Sequence, residues 1–257
     1  MKSLLLLFTL VLFSQTVLSK KTNNKAVNYQ SEDGTTIYAD YFQQKTNTKA
    51  PTIILFHQAR GSAQGEYASI IPKLTANNYN VLAVDLRSGG DKFGAPNRTV
   101  ASLTKKDYSY CQAYPDLVAS LKYIKNSNEA SPVYVWGSSF SAALVIKLAV
   151  EYPEDISAFL AFSPASGKPM GNCSPNDLAD KLSVKGLIAR PDKEMEYPSA
   201  KKQFELFKKH GFQMLISENG VHGSSMLVEE RTKHSTKKAW DVVLAFLEKN
   251  NKTQGDI

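Results

Sequence analysis

Cysteine and histidine are scarce in this chain: its 257 residues include only two cysteines and four histidines. Neither Cys111 nor Cys173 has a neighbouring ligand at metal-binding spacing, and the histidines form no H-x-x-x-H pattern. The four histidines are His57, His210, His222 and His234. The sequence therefore predicts no metal site.

Long hydrophobic runs are absent after the first 19 residues, and no internal repeat, low-complexity block or domain linker follows. Residues 1–19 are typical of a secretory signal peptide, with Lys2 before an apolar core at 4–13 and a cleavage site at 17–19. The apolar core is too short to cross a bilayer comfortably, and a retained N-terminal anchor is the alternative. We therefore expect a secreted or periplasmic protein whose residues 20–257 form one domain without a membrane span.

Export bears on the two cysteines, because disulfides form and persist in oxidising compartments. Cys111 and Cys173 can therefore pair, although nothing in the sequence brings them together. The sequence leaves their pairing open.

Positive charge is in excess, with 31 lysines and arginines against 24 acidic residues and a formal net charge of +7. The basic residues are dispersed, in pairs such as Lys105-Lys106 and Lys208-Lys209. This distribution favours a solvated surface over a nucleic-acid-binding face, so we expect no nucleic-acid partner. Attraction to an anionic cell envelope or to an acidic substrate is the alternative that the charge leaves open.

Apolar strands alternate with amphipathic helices along most of the chain. A hairpin comes first, with strands at 26–30 and 35–43 joined at Glu32-Asp33-Gly34. The further predicted strands are 52–57, 80–86, 133–136, 156–162, 184–189 and 212–217, and the predicted helices are 66–78, 115–126, 142–151, 199–210 and 237–249. Continuous apolar strands between helices indicate an α/β fold with a mostly parallel sheet covered on both faces. The hairpin adds antiparallel strands at its edge.

The most informative motif is Gly137-Ser138-Ser139-Phe140-Ser141, which lies between the apolar strand at 132–136 and the helix at 142–151. A strand, a tight turn of small residues and a helix are the context that a nucleophile elbow requires. The turn would expose the hydroxyl of Ser139 at the positive N-terminus of a helix, where developing negative charge is favoured. The usual pattern ends in glycine, and Ser141 stands at that position.

Three other strand ends carry reactive or polar residues; they are 57–62, 190–194 and 219–223. The carboxyl ends of parallel strands meet at one edge of a sheet, where active groups gather. The chain order of the candidate groups is serine, acid, histidine, one of the orders in which a Ser-His-Asp triad occurs.

Across nearly all of residues 20–257, the chain resembles the α/β-hydrolase fold superfamily, in its compact dienelactone-hydrolase-like and serine-aminopeptidase-like branches. The resemblance rests on the loop at 57–62, on Asp85-Leu86-Arg87-Ser88-Gly89-Gly90, on the elbow, and on the strand ends at Asp192 and His222. It implies a single-domain α/β-hydrolase fold with helices on both faces of a central sheet and no large lid.

The resemblance also implies three catalytic roles. Ser139 would be the nucleophile, His222 the general base that takes its proton, and Asp192 the acid that orients the histidine. Glu194 and Glu196 follow two and four residues after Asp192. They are the alternatives for the acid if the preceding strand ends later than predicted.

The oxyanion hole would use the backbone N–H groups of Ala59 and of Phe140, the residue after the nucleophile. Two residues depart from the family pattern: Gln58 stands where relatives usually have glycine, and Arg60 is a bulky cation beside the proposed hole. Arg60 either grips a substrate carboxylate or points into solvent, and both possibilities stay open. His57 is expected to shape the loop rather than to transfer a proton.

Together these residues predict a secreted serine hydrolase that works through an acyl-enzyme and needs no cofactor. Only about 20 residues lie between the strands that end at 162 and begin at 184, too few for a large lid. The expected substrate is therefore a small ester, amide or peptide, cleaved by a carboxylesterase-like or a small peptidase or amidase activity. The alternative is a catalytically silent hydrolase fold kept as a binding or envelope protein, which the departures at Gln58, Arg60 and Ser141 favour.

Overall fold

An eight-stranded sheet forms the centre of the computed structural model, which describes residues 22–105, 107–127 and 131–251. Its strands are β1 (Thr22–Gln30), β2 (Thr36–Gln44), β3 (Thr52–Phe56), β4 (Asn80–Asp85), β5 (Val133–Ser138), β6 (Ala158–Phe162), β7 (Lys185–Pro191) and β8 (Gln213–Ser217). They lie in the order β1-β2-β4-β3-β5-β6-β7-β8. The pairings β1–β2 and β2–β4 are antiparallel and the others are parallel. The predicted fold class and its antiparallel N-terminal edge are confirmed.

Eight α-helices are found among the described residues: α1 (Ala63–Tyr67), α2 (Ile70–Ala76), α3 (Arg98–Ser102), α4 (Tyr114–Ser127), α5 (Phe140–Glu151), α6 (Pro198–Lys209), α7 (Glu229–Thr232) and α8 (Lys237–Asn250). The single helix expected at 66–78 is in fact two helices, α1 and α2. Helices α3 and α7 were not expected, because segments of five and four residues are too short to show a helical repeat of apolar residues.

Helices cover the sheet on both faces. Apolar side chains of α4, α5 and α6 pack against one face, and those of α1, α2 and α8 pack against the other. All residues of β3 and β6 are buried as a result. This two-sided burial explains why these strands read as continuous apolar runs without alternation.

A disulfide joins Cys111 and Cys173, whose Cα atoms are 5.8 Å apart. Cys111 begins a short 3₁₀ turn before α4, and Cys173 ends another in the loop after β6. These segments follow the carboxyl ends of the parallel strands β4 and β6, so they meet at the same edge of the sheet. The tertiary structure thus decides a pairing that the sequence left open.

The predicted signal peptide at 1–19 lies outside the described residues. Within the described part of the chain, none of the helices is both long enough and apolar enough to pass through a bilayer.

Candidate active site

Ser139 lies at the sharp turn between β5 and α5. Its backbone has φ 63° and ψ −117°, a conformation that non-glycine residues rarely adopt. The turn is tight because α5 runs back against β5: a Cβ added at Gly137 would lie 2.4 Å from the carbonyl oxygen of Ser141. The N–H of Ser139 donates to the carbonyl of Phe162 on β6 at 2.9 Å. This backbone is that of a nucleophile elbow, with the serine at the start of a helix.

Ser141 has a structural role in place of the usual glycine. Its hydroxyl donates to the carbonyl of Phe56 at 2.7 Å and accepts from the N–H of Ser138 at 2.8 Å. The side chain is fully buried, so both hydrogen bonds are shielded from water. The hydroxyl therefore fastens the elbow to the neighbouring strand β3.

The imidazole of His222 is paired with Glu194. Nδ1 of the ring lies 2.6 Å from Oε1 of the carboxylate, and the Glu194 side chain is 12% exposed against 51% for the histidine. Oε2 accepts from Nη1 of Arg190 at 2.6 Å. Burial by itself would raise the pKa of Glu194, but the hydrogen bond from His222 and the charges of His222 and Arg190 hold that pKa below its ordinary value. The carboxylate is therefore ionised and favours the tautomer in which Nδ1 carries the proton and Nε2 accepts.

Asp192, the acid expected from the sequence, is placed elsewhere. Its Oδ2 accepts from the N–H of Asn219 at 3.1 Å, and its Oδ1 accepts from the N–H of Lys193 at 2.9 Å. Strand β7 runs further than predicted and is followed by a 3₁₀ turn, in which residues two apart point to different sides. The structure thus brings Glu194 to the histidine and leaves Asp192 bracing the histidine loop, while Glu196 is exposed.

Arg190 binds the carboxylate oxygen of Glu194 that does not face His222. Its side chain is 3% exposed, and Nη2 donates to Oε1 of Gln203 at 2.6 Å and to the carbonyl of Pro164. Gln203, on α6, donates in turn to Oδ1 of Asn176 at 2.9 Å. Sequence reasoning missed this role; the one available signal was an arginine at the strand end, four residues before the acid.

Ser139, Glu194 and His222 line a single cleft of about 250 Å³. The remaining lining residues come mainly from the segment after β6 and the start of α6; they are Ser163, Pro164, Ala165, Ser166, Arg190, Tyr197, Ser199 and Ala200. Tyr197 is 64% exposed, and most of the others have small side chains. Residues from four strand ends, those of β5, β6, β7 and β8, are thus gathered around one small opening.

The loop after β3 holds the peptide before Ala59 in one orientation. The carbonyl of Gln58 accepts from the N–H of Gly61 at 3.0 Å and from Nδ1 of His57 at 2.8 Å. Because the peptide is trans, the N–H of Ala59 points away from both of these groups. Arg60 follows with φ 61° and an exposed side chain. Among the described residues, it is not part of the lining of the cleft.

His57 is fully buried and bridges two loops. Nε2 lies 2.8 Å from the N–H of Leu86 and must accept from it, so Nδ1 carries the proton that is donated to the carbonyl of Gln58. Burial also lowers the pKa of His57. The ring is therefore neutral, and it connects the loops that follow β3 and β4.

The described residues offer no ligand set for a metal ion, since no three histidine, cysteine or acidic side chains lie together among them. Glu194 and His222 both line the cleft, and their side chains are hydrogen-bonded to each other.

Solved structures of several hydrolases share this fold. An esterase from Pyrococcus furiosus, Pf2001, aligns with a TM-score of 0.69 at 19% identity, covering 89% of this chain and 93% of the esterase. Brefeldin A esterase, a bacterial homologue of human hormone-sensitive lipase, gives 0.70 at 13% identity, covering 95% of this chain and 81% of the esterase. Acylaminoacyl peptidase from Pyrococcus horikoshii gives 0.65 at 15% identity and covers 93% of this chain. This chain spans only 43% of that peptidase.

A comparison with curated proteins finds no match. The family described as serine aminopeptidase, S33, matches residues 48–203, which is more than half of the chain and includes Ser139 and Glu194. Taken with the elbow and the eight-stranded sheet, this match shows that the chain belongs to the serine aminopeptidase S33 family of α/β-hydrolases.

Proposed function

We propose that this protein is a serine hydrolase of ester or amide bonds that uses a Ser-His-Glu triad, with Ser139 as nucleophile, His222 as general base and Glu194 as the acid that orients it. The observation that carries the proposal is the 2.6 Å contact between Nδ1 of His222 and Glu194, in the cleft that Ser139 also lines. The elbow conformation of Ser139 supports it, because strain of this kind is concentrated at functional residues.

In the first step, Nε2 of His222 takes the proton of Ser139 while Oγ bonds to the carbonyl carbon of the substrate. The ionised Glu194 stabilises the imidazolium that forms. His222 then returns the proton to the leaving alcohol or amine as its bond to the carbonyl carbon breaks, and the acyl group remains on Ser139. Water, deprotonated by the same histidine, attacks this ester. The bond between Oγ of Ser139 and the acyl carbon then breaks, the histidine returns the proton to Oγ, and the acid is released.

The negative charge on the carbonyl oxygen would be stabilised by the backbone N–H groups of Ala59 and Phe140. Phe140 is the first residue of α5, and the first N–H groups of a helix have no partner within it. The N–H of Ala59 is directed away from the groups that hold the preceding carbonyl. Loss of one such donor lowers kcat by about 10²–10³.

Small soluble esters are the proposed substrates, with small amides or peptides as the second class. The cleft of about 250 Å³ lies below the roughly 300–1,000 Å³ of pockets that bury a drug-sized ligand. In place of a large lid, the segment between β6 and β7 folds into short 3₁₀ turns fastened by the disulfide. Both observations support a substrate in which the group bound next to Ser139 is small.

Arg60 is proposed to contact an acidic group on the substrate, because its exposed cation belongs to the same loop as Ala59. Arg60→Ala should then raise KM several-fold for an ester that carries a free carboxylate and leave KM for the matching neutral ester unchanged. If Arg60→Ala changed KM equally for both esters, Arg60 would point into solvent and would not contact the substrate.

We further propose that residues 1–19 direct export of the protein and are then cleaved off. The disulfide supports an oxidising compartment. N-terminal sequencing of protein recovered from the medium or periplasm should begin at Lys20, and a protein found only in the cytoplasm with residues 1–19 intact would contradict export.

The triad is tested by labelling the protein with a fluorophosphonate probe, alongside Ser139→Ala and His222→Ala. Strong labelling of the wild type, lost in both variants while their melting temperatures stay near that of the wild type, is the expected result. An unlabelled but folded wild type would instead favour the catalytically silent alternative, a binding or envelope protein.

A further inference from the structure

A buried carboxylate lies beneath the proposed active site. Glu66, on α1, is fully buried. Its Oε2 accepts from the backbone N–H of Gln58 at 2.6 Å, and its Oε1 accepts from Nε2 of Gln58 at 3.0 Å and from the hydroxyl of Ser138 at 2.6 Å. One carboxylate therefore joins the residue before Ala59 to the residue before Ser139.

The connection continues to the loop that carries the histidine. The hydroxyl of Ser138 accepts from the N–H of Ser224 at 2.9 Å, and Ser224 lies two residues after His222. The hydroxyl of Ser224 is itself held by Nε1 of Trp136 on β5 at 2.8 Å. Segments from three separate strand ends thus meet at Glu66, either directly or through a single hydroxyl.

The chemistry of this cluster requires an acceptor that is a carboxylate. Nζ of Lys92 donates to Oε1 of Gln58 at 2.8 Å, so the amide of Gln58 must present its NH₂ group to Glu66. All three groups facing Glu66 are then donors, and only an ionised carboxylate accepts from all of them. Gln58 departs from the family pattern, but its backbone N–H and its side-chain NH₂ both donate hydrogen bonds to Glu66.

The contacts of Gln58 also determine where the N–H of Ala59 points. The N–H of Gln58 is held by Glu66, and the carbonyl of Gln58 is held by Gly61 and His57. The peptide planes on both sides of the Gln58 Cα are therefore held in place. Without Glu66 the first of these planes loses its only charged partner in this cluster, and a buried N–H is left without an acceptor.

We propose that Glu66 is a positioning residue that holds the Ala59 side of the oxyanion hole in register with Ser139. It does not contact the substrate; it acts through Gln58 and Ser138. Because the oxyanion hole belongs to the function proposed above, this role rests on that function.

The test is Glu66→Gln, which keeps the size of the side chain but places an NH₂ group against donors. Ester hydrolysis should lose about 10²-fold in kcat, the scale of a misplaced oxyanion donor, while KM stays within a few-fold of the wild type. The inhibition constant of a trifluoromethyl ketone, whose adduct with serine carries an oxyanion, should weaken by a similar factor. The pH profile of kcat should keep its shape, because the histidine and its acid are untouched.

Two further variants separate positioning from general loss of stability. Asp116→Asn removes another fully buried carboxylate, which binds the N–H and Nε of Arg87 outside the cleft, and should lower the melting temperature without changing kcat. Ser138→Ala leaves Glu66 in place and removes one of its three donors. It should lower kcat by a smaller factor at unchanged KM, and it keeps the test open if Glu66→Gln fails to fold.

A wild-type kcat in both Glu66→Gln and Ser138→Ala would overturn the positioning role and leave the triad intact. A loss of kcat in Asp116→Asn equal to that in Glu66→Gln would also overturn it, because destabilisation alone would then explain both. A folded wild type that neither hydrolyses esters nor reacts with fluorophosphonate would overturn the proposed function itself, and the role of Glu66 with it.

Discussion

Replacing Glu194 by glutamine should disable the hydrolase by trapping the wrong tautomer of His222. The new side chain has one oxygen and one NH₂ group in place of two oxygens. Nη1 of the buried Arg190 donates to this position at 2.6 Å, so the amide oxygen must face Arg190. The NH₂ group then faces Nδ1 of His222, which must accept, and the ring proton moves to Nε2. That nitrogen can no longer take the proton of Ser139.

The size of the effect follows from the same geometry. In a Ser-His-Asp triad, converting the acid to its amide lowers kcat by about 10⁴ through this change of tautomer. Such a loss corresponds to about 5 kcal/mol of activation free energy, at roughly 1.4 kcal/mol for each factor of ten. KM should change little, because the Glu194 side chain is 12% exposed and both of its oxygens are bound by other side chains, Oε1 by His222 and Oε2 by Arg190.

The assay is steady-state hydrolysis of a small chromogenic ester near neutral pH, with Asp192→Asn as the matched control. Asp192 accepts only from the N–H groups of Asn219 and Lys193 among its described contacts, so this variant should keep most of the wild-type kcat. Melting temperatures of both variants check the fold. An active Glu194→Gln beside an inactive Asp192→Asn would contradict the role of Glu194 and return the role of the acid to Asp192.

Two other predictions concern stability. Burial lowers the pKa of His57 in the folded state, so below the unfolded value of about 6.5 the unfolded chain binds a proton that the folded chain does not, and stability falls as the pH drops. Between neutral pH and one unit below 6.5, urea unfolding should show the wild type losing more free energy of unfolding than His57→Gln; equal losses would contradict a neutral buried ring. Reducing the bond between Cys111 and Cys173, which are 62 residues apart, should lower the free energy of unfolding by about 4 kcal/mol. An unchanged unfolding midpoint in reductant would mean that the two thiols are not paired in solution.

Several features of this protein follow from short segments of sequence, because each depends on local periodicity. The runs at 52–57 and 156–162 are apolar without alternation, which indicates strands buried on both faces, and the structure places β3 and β6 there. The Gly137–Ser141 motif has strand on one side and helix on the other, so the elbow too is a property of neighbouring residues. Where the apolar repeat is weaker, the predicted helix boundaries differ from those in the structure. The segment predicted as one helix at 66–78, for example, folds as two helices.

The partner of His222 could not be read in this way. Asp192 and Glu194 are two residues apart, and either carboxylate could serve a histidine at the same edge of the sheet. The choice depends on where β7 ends and on the turn that follows, a difference of one or two residues that periodicity does not resolve. The buried Arg190, near the end of β7, adds to the choice, since it is itself held by Gln203 of α6 and binds Glu194.

The amino-acid sequence was enough to predict the class of fold, the nucleophile candidate Ser139 and the strand ends that face it, because these depend on residues close together in the chain. The folded chain was needed to show that Glu194 pairs with His222, that Cys111 bonds to Cys173, and that Glu66 hydrogen-bonds to Ser138. Each of these contacts joins side chains that are 28 to 72 residues apart. Such pairs depend on how the sheet twists and where each strand stops, and no local pattern encodes that.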